Sequence, residues 1–240
     1  MKRSLNMFSS SARLLAGLFV LAFLFSACKK NDDGIGQQTG PVAGLMALNL
    51  SPDQSAVGFS LSGNTLGGGA LGYNSYTGGY LPVYTGTREV RTFDYYTGST
   101  LAISNNEFKD SMYYSAFLLG ANGNYRNVVV NDQLNSLTVV PGKAWVRYIN
   151  AIPDSASSPV VTVAGDAPAS TPYATVSSFA QVTAGPVTTS ISNGTDISAN
   201  RTVTMEENKA YTLLFIGLPN ATDSAKKVQI RVIENGTVTP

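Results

Sequence analysis

The chain has 240 residues, 16 of them basic and 15 acidic, with 43% hydrophobic residues, one cysteine and no histidine. Without histidine there are no His-based acid/base pairs, no Ser-His-Asp or Cys-His nucleophiles and no His-ligated zinc or copper, and near-neutral charge leaves no footprint for nucleic acid. A lone cysteine forms no internal disulfide, so folding must rest on apolar burial.

The N-terminus carries Lys2, Arg3 and Arg13, then an apolar run from Leu14 to Phe25. About a dozen apolar residues are too few to cross hydrocarbon as a helix, so residues 1–27 are expected to be a signal peptide. The run ends Leu24-Phe25-Ser26-Ala27-Cys28, with small residues before the cysteine, and resembles a bacterial lipobox. That resemblance implies a lipidated Cys28 at the mature N-terminus. Each buried acyl methylene contributes about 0.8 kcal/mol, and two or three chains together anchor stably, so the expected membrane contact is a tether rather than a span. Cleavage would remove three of the 16 basic residues and leave 13 against 15 acidic ones.

Residues 28–43 read as a flexible stalk, since Gly34 to Gly44 is a Gly/Gln/Pro segment that cannot bury enough apolar surface to fold. Its Asp32-Asp33 resembles the acidic signal that sends lipoproteins of the Bacteroidetes to the cell surface, although Lys29-Lys30 precedes it. The expected location is therefore the outer membrane, on the cell-surface side rather than the periplasmic one.

Beyond the stalk, Gly, Ser, Thr, Val, Tyr and Asn dominate, and apolar residues alternate in short runs between turn residues. This pattern predicts an all-β chain. Two segments share ordered landmarks about 100 residues apart. Asn49-Leu50-Ser51-Pro52-Asp53 answers Asn150-Ala151-Ile152-Pro153-Asp154. Tyr73 and Tyr80 answer Tyr173 and Phe179, Gly86 answers Gly185, and the run Tyr114–Gly120 answers Tyr211–Gly217. The expectation is two tandem immunoglobulin-like β-sandwich domains, 44–139 and 140–240.

The run Ala144-Trp-Val-Arg-Tyr-Ile-Asn-Ala-Ile-Pro-Asp-Ser155, with Lys209-Ala210-Tyr211-Thr212 and the closing apolar strand, resembles the DUF4397 domain. The resemblance is strong in the second copy and more divergent in the first, where Gly44 and Met46 stand in place of Trp145 and Arg147. It implies a β-sandwich module of secreted and surface proteins and carries over no catalytic residue.

Asp53 and Asp154 follow strands singly, as turn residues do, and Glu206-Glu207 would point to opposite sheet faces, so neither is read as a metal or acid/base pair. The tyrosines are better candidates. Tyr76, Tyr84, Tyr95 and Tyr96 crowd the Gly-rich middle of the first copy, where flat rings with polar tips suit sugar or peptide surfaces. Trp145 and Arg147 share a strand face, with the guanidinium expected along the indole. Ser111, Ser155 and Ser224 each follow aspartate and resemble the O-glycosylation acceptor of Bacteroidetes. The expected role is non-enzymatic: binding, adhesion or envelope structure, with no cofactor and no metal. The alternatives are a glycan-binding accessory lipoprotein and, less favoured, a carboxylate-dependent hydrolase.

Overall fold

In a computed structural model, residues 40–153 and 158–239 are described; Cys28, the stalk acids, Asp154 and Ser155 lie outside them. The first repeat starts on β1 (Val42–Asn49), crosses to β2 (Val57–Leu61) and β3 (Asn64–Thr65), and returns through β4 (Ser75–Tyr76) and β5 (Leu81–Tyr84). It crosses again on β6 (Gly86–Asp94) and β7 (Thr100–Phe108), and finishes on β8 (Tyr113–Ala121) and β9 (Asn124–Asn131). A link with one short 3-10 turn (Leu134–Ser136) leads into the second repeat. There β10 (Lys143–Asn150), β11 (Val160–Val163), β12 (Ala169–Ser170) and β13 (Ala180–Thr183) are followed by β14 (Gly185–Ser192), β15 (Ser198–Met205), β16 (Lys209–Ile216) and β17 (Gln229–Thr237).

Each repeat is a sandwich of two sheets. In the first, β1 lies between β8 and the short β4 and β5, with β9 beyond β8, facing a sheet ordered β3-β2-β6-β7. The second repeats this as β13-β10-β16-β17 facing β12-β11-β14-β15. The fold is the expected all-β pair of tandem sandwiches. One feature escaped the sequence reading: β1 pairs parallel to β8, and β10 parallel to β16, while the other ladders are antiparallel.

The repeat holds at atomic level. The Tyr114 hydroxyl accepts from Lys109 N and the Tyr211 hydroxyl from Glu206 N, each five residues upstream. Asn49 and Asn150 each cap their own turn, accepting from Ser51 N and Ile152 N respectively.

Strand alternation explains where the cores sit. Ala43, Leu45 and Ala47 of β1, with Tyr114, Ala116 and Leu118 of β8, face inward against Phe59, Val90 and Phe108. The opposite faces of the same strands carry Met46, Leu48, Phe117 and Leu119, and these are buried too. They pack against Ile149 of β10, Leu214 and Ile216 of β16 and Ile233 of β17, a third core between the repeats. The β1 and β10 sheets are therefore apolar on both faces, as the inner layers of a four-layer stack must be. Residues 41–240 form one compact unit.

Candidate functional site at the contact between the repeats

Within that third core lies one polar cluster. Arg147 projects from β10 into an otherwise apolar layer, its side chain 3% exposed, and its Nη1 stands 2.7 Å from Oδ1 of the fully buried Asp132 at the end of β9. Arg147 Nε donates to Thr212 Oγ1 (2.9 Å) and Nη2 to Ser115 Oγ (3.0 Å). Ser115 Oγ in turn donates to Asp132 Oδ2 (2.7 Å), and so does the Tyr80 hydroxyl (2.5 Å). Asn235 Nδ2 donates back to the Tyr80 hydroxyl (2.9 Å), and Thr212 Oγ1 donates to Asn235 Oδ1 (2.6 Å), closing a ring of contacts across the two repeats. The Arg147 guanidinium lies 4.7 Å from the centroid of the Phe179 ring. That corrects the expected stack on Trp145, whose Nε1 instead donates to Thr138 O.

The reason for the ring is desolvation. A carboxylate or guanidinium removed from water is tolerated only with an opposite charge and hydrogen bonds around it. Each hydroxyl here both donates and accepts within the ring, so the arrangement locks two faces together. Burial pushes the Tyr80 phenol far above its ordinary value, and the Asp132 charge and hydrogen bond add to the shift. Burial also raises Tyr73 to about 12, against the opposing charge of Arg231.

These tyrosines predict an alkaline weakness. A phenol whose folded pKa lies above its unfolded value of 10.0 contributes fully below about pH 10, and that contribution is lost as pH rises toward the folded value. The urea midpoint is expected to hold between pH 7 and 9 and fall above pH 10, with a shallower fall in Tyr80→Phe. At neutral pH that variant loses two hydrogen bonds, about 1–2 kcal/mol. An alkaline slope unchanged by the substitution would remove Tyr80 as its source.

A pocket of about 350 Å³ opens beside the ring, with Trp145 and Phe179 as apolar walls and Gln133, Ser136 and Ser178 among its polar lining. Trp145 and Arg147 thus meet at one place, Arg147 beneath the surface. The four tyrosines do not join them. Tyr76 pairs with Leu48 and lines the mouth of the first sandwich beside Leu81. Tyr84 stands at the β5 edge opposite Val42, 52% exposed.

Tyr95 and Tyr96 sit on the β6–β7 turn with ring centroids 5.9 Å apart, Tyr96 being 81% exposed. Asp94 organises this turn, its Oδ1 accepting from Thr97 N (2.7 Å), Thr97 Oγ1 (2.9 Å) and Tyr96 N (3.1 Å). The Thr97 backbone bond, foremost among these, holds its carboxyl below the usual carboxylate range. Beside the turn Phe93 lies over its cross-strand partner Gly58, where a Cβ would come within 2.4 Å of the ring, and Arg91 covers Phe93 at 4.8 Å.

Ser111 and Ser224 are exposed on turns. Asp53 accepts from Asn122 N, Tyr125 and Ser51, tying its turn to the β8–β9 hairpin. Among the described residues no three His, Cys, Asp or Glu side chains gather as a metal site would need, and no helix is long and apolar enough to cross a membrane.

The sequence reading missed Asp132, Ser115, Thr212 and Asn235 as partners of Arg147. A usable signal was present: an arginine inside the apolar run Ala144–Ile149, and an aspartate directly after Val128-Val129-Val130-Asn131, each require a buried counter-charge.

The fold and this cluster define a class, tandem β-sandwiches fused back to back through their inner sheets. The family model described as a domain of unknown function, DUF4397, matches residues 43–164 and again residues 144–240. The chain belongs to this family, in two copies. No curated protein matches it.

Proposed function

We propose that this chain is an outer-membrane, lipid-anchored protein displayed at the cell surface, with a non-enzymatic role in binding, adhesion or envelope structure. The observation that carries the reading is the fusion of the two repeats. A continuous apolar contact closed by a buried ion pair makes one rigid presenting body rather than two beads on a string. The Asp94-ordered turn with Tyr95 and Tyr96 lies at the opposite end of the first sandwich from Val42, where the chain enters, because Tyr95 N bonds Ala56 O just before β2. A tether through Cys28 would join this sandwich at its Val42 end and leave that turn free for contact.

Protease shaving of intact cells tests display: loss of this protein with a periplasmic control intact is expected, and protection would retire the surface reading. A glycan-binding role is the second reading, favoured by the aromatic walls and hydroxyl lining of the Trp145 pocket. Glycan arrays with Trp145→Ala against Tyr95→Ala/Tyr96→Ala separate the sites. Signal lost only in the first assigns the pocket, and signal lost only in the second assigns the turn.

A further inference from the structure

The strand registers fix which residues of the two repeats are equivalent. Met46 pairs with Ser115 as Arg147 pairs with Thr212, so Met46 corresponds to Arg147 and Ser115 to Thr212. Leu81 pairs with Leu45 as Ala180 pairs with Val146, so Tyr80 corresponds to Phe179. Asn131 lies opposite Tyr114 and Glu234 opposite Tyr211; the second ladder bulges at the next residue, and the matching bonds from Ser115 Oγ to Asp132 and from Thr212 Oγ1 to Asn235 make Asp132 and Asn235 counterparts. The contact is reciprocal in outline. Tyr173 of the second repeat receives Arg126 of the first at 4.5 Å from its ring, and Asn74, beside the equivalent Tyr73, receives Arg231 of the second, which stands two places along its strand from the counterpart of Arg126. The two repeats meet as a homodimer would, about a pseudo-twofold axis.

The charges break that symmetry. Position 147 carries arginine and its equivalent 46 methionine; position 132 carries aspartate and its equivalent 235 asparagine. Paired as they are, the one arginine meets the one aspartate. Two first repeats meeting by the same faces would bury two aspartates against methionines, and two second repeats would bury two arginines against asparagines. Neither like pair contains a counter-charge.

We propose that this single ion pair makes the two repeats recognise each other as unlike partners, so that each repeat's inner face accepts the other repeat and rejects a second copy of itself. The apolar surface around the cluster is sticky toward either kind, and the placement of one buried charge on each face does the selecting. Molecules crowded on a membrane would then not cross-link through exchanged repeats.

The test uses the folded full chain with a protease site inserted between Pro141 and Gly142, in the exposed link. After cleavage the halves are mixed at high concentration through a mild urea cycle and weighed by native mass spectrometry. Only unlike pairs are expected, with like pairs at about one in a hundred or fewer. A second chain, with D132N and R147M combined with M46R and N235D, moves the ion pair to the equivalent positions. Cleaved alone, it should again give only unlike pairs. Mixed with the cleaved native chain, it should give first-with-first and second-with-second pairs, because each charge now finds its opposite on a like repeat. Like pairs in statistical proportion from the native chain alone, separation of the halves on cleavage, or no cross-pairing in the mixture would each overturn the proposal. If the relocated chain fails to fold while D132N/R147M folds, positions 46 and 235 are not equivalent and the proposal falls as well.

Discussion

Arg147→Met is expected to lower the unfolding free energy by about 3–5 kcal/mol, because it strands Asp132 beneath two sheets with its Oδ1 accepting no hydrogen bond. Ser115 and Tyr80 still donate to Oδ2, but the charge has no counter-ion left. Asp132→Asn is expected to cost nearly as much, since it leaves the guanidinium with only Ser115, Thr212 and the Phe179 face. The double variant should recover most of either loss, for the neutral pair Met and Asn already stands at the equivalent positions. Urea unfolding of the four proteins gives the coupling directly. Single-variant losses below about 1 kcal/mol would mean that water reaches the cluster and that it locks nothing.

Gly120→Ala is expected to be comparably severe, at about 3 kcal/mol or more. Gly120 adopts φ +117, and a Cβ there would stand 1.9 Å from Asn124 O. That oxygen belongs to the hairpin backbone and cannot swing aside. The Gly120 carbonyl also accepts from Ser51 Oγ (2.7 Å), so a shift of the turn would pull on the β1–β2 corner. Gly217 is its counterpart, at φ +110 with Lys227 O at 2.3 Å, and should behave alike. Gly123 supplies the control: φ is +84 but nothing lies within 4 Å, so Gly123→Ala should cost about 1 kcal/mol from backbone strain alone. Equal losses at 120 and 123 would show that the close approach contributes nothing.

Much of the fold could be read from the chain because its repeats share polar punctuation. Asn49 and Asn150 cap the same turn, Gly86 and Gly185 open the same strand at positive φ, and Tyr114 and Tyr211 bond the same upstream amide. Such local devices leave fixed sequence marks. The parallel β1–β8 pairing leaves none, because its partners lie about 70 residues apart and hydrogen bonds between backbones carry no residue code.

The candidate site divided the same way. Tyr96 is exposed, as tyrosine beside glycine suggests, but Arg147 is buried by a surface that exists only once the second repeat meets the first. The unbroken apolar run Met46-Ala47-Leu48 puts apolar side chains on both sides of its strand, a signal the sequence carries and the reading did not use. The missing step was to ask what covers the second side.

That two-sided burial bears on how the protein is made. During synthesis the first repeat emerges before the second, and Met46, Leu48, Phe117 and Leu119 then have nothing to cover them. Until β10 and β16 arrive, the half-finished molecule is an open greasy plate, a substrate for holding chaperones and proteases. A chain truncated after residue 140 would remain in that condition for its whole lifetime.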